Sequence, residues 1–206
     1  MMNCLIYPTY FPNIAHFVAM LKADTVLFEV CDNYQKQSYR NRTEIYGANG
    51  KLALTVPVSY SQKHRQKYKD VKIANENNWQ GLHLKSLQSA YSMSPFFEYY
   101  IDDLLPVFEN RFDYILDFNL KSFALILECL QLNIATKQTT SFELHPEDKV
   151  DLRNLAQRNF EKKNLQPYTQ VFSVKHGYIP NLSILDLLFN EGPNSELYLK
   201  KQSISL

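Results

Sequence analysis

The chain reads as an α/β protein, a single domain holding a mixed β-sheet with an N-terminal β-α-β unit, a β-hairpin and flanking helices. Three observations predict this: an apolar run, an amphipathic run and a second apolar run within the first thirty residues; an Asn-Gly pair set between alternating apolar residues; and a long, almost wholly apolar helical stretch after residue 117. The first run, NCLIY, stops at Pro8, and Asn13 beside Pro12 is placed to cap a helix through Ala15, Phe17, Val18, Met20 and Leu21. TVLFEV then reads as a strand, and two parallel strands joined this way would open the loops Tyr7–Pro12 and Glu29–Lys36 on one edge of the sheet. Asn49-Gly50 within TEIYGANGKLALTVPV marks the hairpin. The tract SYSQKHRQKYKD, with Lys63, His64, Arg65, Lys67 and Lys69, reads as a mobile basic loop before the short alternation VKIA.

Asn75 to Asn78 are positioned to cap a helix from Trp79, with Leu82, Ser86, Leu87 and Ala90 at helical spacing. Ser94-Pro95 restarts a helix through Phe96, Phe97 and Tyr100, which Pro106 is expected to end or kink. DFNLKSFALILECLQL (117–132) is apolar nearly all round and is expected to be buried. Beyond it, 139–144 reads as a strand, the charged stretch 147–167 as a lid or linker with a helix over 151–160, 168–174 as a strand, and ILDLLFNEGPN as a short helix stopped by Gly192-Pro193.

The chain's 206 residues and 24.1 kDa suit one compact domain spanning 1–206, and 45% hydrophobic with 21% charged residues allow a sizeable core. Lys+Arg 22 against Asp+Glu 21 leaves a net charge of +1, so no global field favours nucleic acid, and the basic run KHRQKYK is too short to change that. Three widely spaced cysteines fit neither a disulfide framework nor a metal motif, no zinc site is assigned, and a reducing compartment follows. No basic leader and no apolar stretch of about 18 residues occurs, which points to the cytoplasm without a membrane span. GxGxxG, GxxxxGK[ST] and GxSxG are all missing, which removes the ordinary dinucleotide, P-loop and hydrolase readings.

The densest polar group is EVCDNYQKQSYRNR, directly after a strand. Its Asn33, Lys36, Arg40, Asn41 and Arg42 either grip a phosphate or carboxylate or form a solvated turn leading to the hairpin. Glu29, ending an apolar run, is either a base or the partner of Arg42. His83 stands one helical turn from Trp79 and is either a general acid or base or a packed residue. His16 reads as a surface histidine. Among Tyr91, Phe96, Phe97, Tyr99 and Tyr100, helical spacing makes core packing the default, with Tyr91 and Tyr100 the ones to line a pocket. Cys31, close to the expected cleft, reads as an inert buried thiol.

The runs YPTYFPNIAHFVAMLKAD and EVCDNYQKQSYRNRTEIYGANGKLALTVPV, then Trp79, His83 and Tyr91 leading into SPFFEYY, and finally KHGYIPNLSILDLLFNEGP, together resemble the WbqC-like protein family in its shorter, Bacteroidetes-type form. Where many members carry a His-Gln-Pro-like segment this chain has Ile6-Tyr7-Pro8, and it lacks the glycine-rich segment common in their second half. The resemblance implies a transferase of surface polysaccharide or O-antigen biosynthesis that moves an aminoacyl group such as glycine, or another acyl group, to an amino sugar. In that reading Lys36, Arg40 and Arg42, with Asn33 and Asn41, hold a small anionic donor or sugar nucleotide. Tyr10, Trp79 and Tyr91 wall the pocket, and His83 or Glu29 takes the proton of the attacking amine. Arg40 and Arg42 would then be dispensable for folding. The rival reading is a non-catalytic protein that holds a glycan or a partner in polysaccharide assembly; cofactor and oligomeric state stay open.

Overall fold

The computed structural model describes residues 2–61, 65–158 and 165–203. Lys63 and His64 of the basic tract, and Phe160 at the end of the expected 151–160 helix, fall outside them.

Strand β1 (Asn3–Ile6) runs into a turn rich in proline and aromatics, and helix α1 (Ile14–Met20) follows. Asn13 caps α1: its Oδ1 accepts the His16 backbone N–H at 3.2 Å and lies 2.8 Å from His16 Nδ1. All seven residues of α1 are buried, so His16 is a core residue and not the surface histidine its setting suggested. Burial pushes its pKa down to about 3, which keeps the ring neutral. Strand β2 (Thr25–Phe28) pairs parallel with β1, Ile6 opposite Phe28.

The hairpin forms as expected from β3 (Arg42–Gly47) and β4 (Gly50–Thr55). Gly47 stands opposite Gly50, so Ala48 and Asn49 make the tip, and Gly50 takes a φ of +99° that glycine alone adopts without strain. A second antiparallel ribbon pairs β5 (Val58–Ser59) with β6 (Lys72–Ile73). Between them the basic tract is not a simple loop. Tyr68–Asp70 form a 3-10 turn whose Tyr68 is fully buried, its hydroxyl donating to Pro8 O at 2.6 Å and accepting from Asn119 Nδ2 at 2.6 Å.

Asn78 caps α2 (Trp79–Tyr91) by accepting from Gly81 N at 3.1 Å. This helix buries Trp79, His83, Leu87, Ala90 and Tyr91 and leaves Leu82 outside. Helix α3 (Phe97–Glu109) continues three residues past Pro106. Tyr91 and Tyr100 are core residues, and the aromatic at the surface is Tyr99. Helix α4 (Ile115–Leu130) is the buried helix that its composition foretold, and it closes on Gln131 in the left-handed conformation.

The second half departs most from expectation. Strand β7 is Thr136–Gln138, earlier than the expected 139–144; its three side chains are exposed, so no apolar alternation marks it. Strand β8 (Val150–Asp151) takes the start of the expected helix into the sheet and leaves a 3-10 turn over Arg153–Ala156. Residues 168–172 form no strand, because Tyr168 and Gln170 anchor through side chains to Asp186, and α5 (Ser173–His176) follows. Helices α6 (Ile184–Glu191) and α7 (Ser195–Lys201) then pack on α1.

The main sheet has the order β7-β2-β1-β8, and every pair in it is parallel; antiparallel pairing occurs in the two ribbons and in isolated bridges such as Asn13 with Ser183 and Ser38 with Gln157. Among the described residues, no helix is long and apolar enough to cross a membrane.

Candidate functional site

The chain leaves β1 toward β2 and β7 on one side and returns to β8 on the other. In a parallel sheet such a reversal opens a crevice at the carboxyl ends of the two strands, since their connections lead away in opposite directions. A cavity of about 480 Å³ lies there, lined by Tyr7, Asp32, Arg40, Phe142, Asp151 and Arg153 among others.

Register explains why polar groups gather at this edge. Ile6 faces Phe28, Phe28 faces Gln138 and Leu5 faces Asp151. One rung beyond the strands therefore holds Thr139, Glu29, Tyr7 and Arg153 in spatial order. The ladder continues into that rung through Glu29 N to Ile6 O at 2.8 Å and Thr139 N to Phe28 O at 2.9 Å.

Two ion pairs occupy the cavity wall. Arg40, 1% exposed, donates from Nη2 to Asp32 Oδ2 at 3.1 Å and from Nη1 to Asn33 O at 2.8 Å. Its guanidinium carbon lies 3.6 Å from the centre of the Tyr7 ring, and the Tyr7 hydroxyl donates to Asp32 Oδ2. Burial raises the Tyr7 pKa above the usual phenol range, against the opposing charge of Arg40, so Tyr7 stays a protonated donor. Opposite, Arg153 grips Asp151 from Nε at 2.8 Å and Nη2 at 2.6 Å, and donates to the carbonyls of Glu143 and Leu144 at 2.8 and 3.0 Å. Partial burial acts to raise the Asp151 pKa, but the bonds and charge of Arg153 outweigh it and hold the carboxylate below its ordinary range. Of the five N–H donors of a guanidinium, these bonds leave three unused on Arg40, one of them the buried Nε, and one on Arg153 among the described residues.

The residues singled out in the sequence fall in several places. Arg40 lines the cavity. Glu29 is fully buried beside Tyr7 on the same rung and does not line the cavity; its Oε1 accepts from Cys31 N at 2.7 Å and Thr139 Oγ1 at 3.0 Å, and among the described residues its Oε2 has no partner and Arg42 is not bonded to it. Asn33 is exposed and contributes its carbonyl to Arg40, while exposed Lys36 lies over the Tyr60 ring at 5.1 Å. Asn41 donates to Val56 O at 2.8 Å, and Arg42 Nε donates to Thr55 Oγ1 at 3.2 Å.

Tyr10, Trp79 and His83 form an aromatic cluster in the core. The Tyr10 hydroxyl sits 2.9 Å from His83 Nδ1, and Trp79 meets His83 edge-on with ring centres 5.2 Å apart. Burial, partly opposed by a hydrogen bond to the Thr55 backbone, pushes the His83 pKa down to about 4. Tyr91 is buried elsewhere, donating to Asp186 Oδ1 at 2.8 Å and accepting from Tyr46 N at 3.1 Å. None of these four residues lines the cavity. Cys31 is half-buried, its thiol donating to Thr139 O at 3.4 Å.

Sequence reasoning passed over Tyr7, Asp32, Asp151 and Arg153. Tyr7 and Asp32 lie in the loops Tyr7–Pro12 and Glu29–Lys36 that the expected parallel strands place at the cleft, but neither residue type stands out there beside the cations of 36–42. No such signal marks Arg153, because β8 is only two residues long.

Residues 7–159 match the model of the WbqC-like protein family. The chain is also 25% identical over 228 aligned residues to an uncharacterized protein of Mycobacterium tuberculosis, Rv1507c, with 95% of this chain and 96% of the relative covered. No solved structure matches it. The family match begins at Tyr7, directly after β1, and takes in β8 together with Asp32, Arg40 and Arg153, so the residues lining both walls of the crevice lie inside it, and the chain belongs to the WbqC-like protein family.

Proposed function

We propose that the chain is a transferase of surface-polysaccharide or O-antigen assembly that moves an acyl or aminoacyl group, such as glycine, onto an amino sugar, with the crevice between β1 and β8 as its reaction centre. The observation that carries this reading is the crevice itself: a cavity of about 480 Å³ at the reversal of strand order, walled by two buried arginines. The remaining Nη N–H groups of Arg40 and Arg153 meet the anionic part of the acyl donor, whose leaving group departs as the new amide forms, or the phosphates of a nucleotide-linked amino sugar that accepts the group. Tyr7, its hydroxyl committed to Asp32, forms part of the floor, and Phe142 and Leu144 cover an apolar face. Glu29 is the group in this reading that takes up the proton lost by the attacking amine: it lies behind the cavity wall beside Tyr7 on the rung and keeps one carboxylate oxygen unpartnered among the described residues. His83 stays neutral and supports the fold through Tyr10.

The pairing of both arginines with carboxylates favours a second reading, in which the crevice holds a polar glycan without reacting it. A thermal-shift panel of sugar nucleotides, acyl-CoAs, aminoacyl donors and amino sugars tests both. A ligand at about 100 times its Kd stabilises by roughly 2.7 kcal/mol. The expected result is a shift from a donor and from an amino sugar, weakened by Asn154→Ala or Gln157→Ala at the exposed rim, with turnover lost in Glu29→Gln. Binding of a glycan without turnover would establish the second reading, and shifts indifferent to the rim variants would remove the crevice from both.

A further inference from the structure

A second concavity, of about 430 Å³, lies between the β3–β4 tip and α2, and the proposed transfer reaction does not use it. Helix α2 buries one face against the core, and Leu82 stands off that face, 62% exposed. Across the groove Leu52 of β4 is 40% exposed, although it shares a strand face with buried Leu54. Gly47, Ser86 and Ser89 keep the space between the two leucines open. The floor is thus apolar and concave, a shape that isolated surface leucines do not make.

The rim is basic. Lys51 and Lys85 line it and no carboxylate does. Lys175 Nζ and His176 Nε2 both reach Ala48 O at the hairpin tip, at 3.0 and 2.9 Å, which adds a further cation beside the groove. Only Lys51 is offset, by Glu44 at 2.8 Å; Lys85 and Lys175 have no carboxylate partner among the described residues. In a chain whose formal net charge is +1, this grouping is a local positive field around an apolar floor.

We propose that this groove is a docking site for an acidic segment of a partner protein, whose leucine-like side chains fill the space between Leu52 and Leu82 while its carboxylates meet Lys85, Lys175 and Lys51. Apolar anchors supply most of the affinity of such contacts, and charge complementarity sets partner choice and association rate.

The test is a selection from a display library of random 12-residue peptides against the whole chain, followed by fluorescence anisotropy with the recovered peptides. Recovered sequences should combine Asp or Glu with Leu, Ile or Phe. Leu82→Glu and Lys85→Glu should each weaken binding at least tenfold, Tyr99→Ala at an exposed α3 position outside the groove lining should leave it unchanged, and all three variants should melt like the parent. The proposal fails if no peptide is enriched, if the recovered peptides lack acidic bias, or if the groove variants bind them as the parent does. It fails equally if the chain sediments as a dimer that Leu82→Glu dissociates, since the occupant would then be a second copy.

Discussion

Replacing Arg40 by alanine strands Asp32 inside the protein. The Asp32 side chain is 9% exposed and Arg40 is its only ion-pair partner among the described residues; afterwards it would keep the Tyr7 hydroxyl and its bond from Asn33 N at 2.6 Å, but no neutralising charge. The variant also loses the guanidinium stacked 3.6 Å from the Tyr7 ring centre and the bond to Asn33 O. Removing one member of a buried pair costs about 3–5 kcal/mol, because the remaining charge is desolvated without compensation. In a protein of this size about 2–4 °C of Tm accompanies each kcal/mol, so Arg40→Ala should melt roughly 6–20 °C lower. Calorimetry with urea titration at pH 7 reads this directly. A double-mutant cycle isolates the pair: Asp32→Asn with Arg40→Met should be markedly more stable than the sum of the two single losses. A loss under about 1 kcal/mol for Arg40→Ala, or strict additivity in the cycle, would mean that Arg40 is held for its ligand alone and that the pair does not secure the crevice wall.

Two further perturbations act on the core. His16 and His83 have pKa values pushed down by burial to about 3 and about 4, below the ordinary 6.5, so as pH falls the unfolded chain takes up these protons first. Stability from them is intact above pH 6.5 and is lost progressively toward pH 3–4, about 2 kcal/mol per histidine by pH 5; urea midpoints between pH 7.5 and 4.5 should fall accordingly, less steeply in His83→Gln, and a flat profile would contradict their neutrality. Gly192 has φ +51°, and an added Cβ would lie 2.5 Å from the Phe96 ring. Gly192→Ala should therefore cost more than about 1 kcal/mol, whereas Gly50→Ala, with positive φ but open space, should cost less; equal melting of the two variants would show that the Phe96 contact does not matter.

The first 130 residues were largely legible because their elements carry local signatures. Asn13 and Asn78 cap where caps were expected, Gly50 closes the hairpin, and the apolar period of 115–130 gives α4. β7 and β8 were not legible, since five exposed or half-buried residues become strands only through the backbone bonds offered by β2 and β1. The site was legible to the same extent. Arg40 and Glu29 follow a recognisable strand and lie at or beside the crevice. His83, Tyr10 and Tyr91 were drawn in because polar aromatic groups look functional in a sequence, while in the fold Tyr10 and His83 meet one another and Tyr91 bonds Asp186 and Tyr46 inside the core. Arg153 depends on β8 and is visible only in three dimensions.

The order β7-β2-β1-β8 also carries a cost in time. β1 and β2 follow one another closely in synthesis, yet the second neighbour of β1, β8, appears only after β2, both ribbons, the long helices and β7 have been made. Contacts so distant along the chain are slow to form, because a large loop must close before any bond repays it. During that interval one edge of β1 is unpaired and Tyr7 and Arg40 have no opposite wall, which leaves an adhesive edge on the nascent protein. The crevice is therefore the last feature of the sheet to come into being during synthesis, and holding the growing chain apart from its neighbours until residue 153 has emerged would protect the part of the molecule where ligand chemistry is placed.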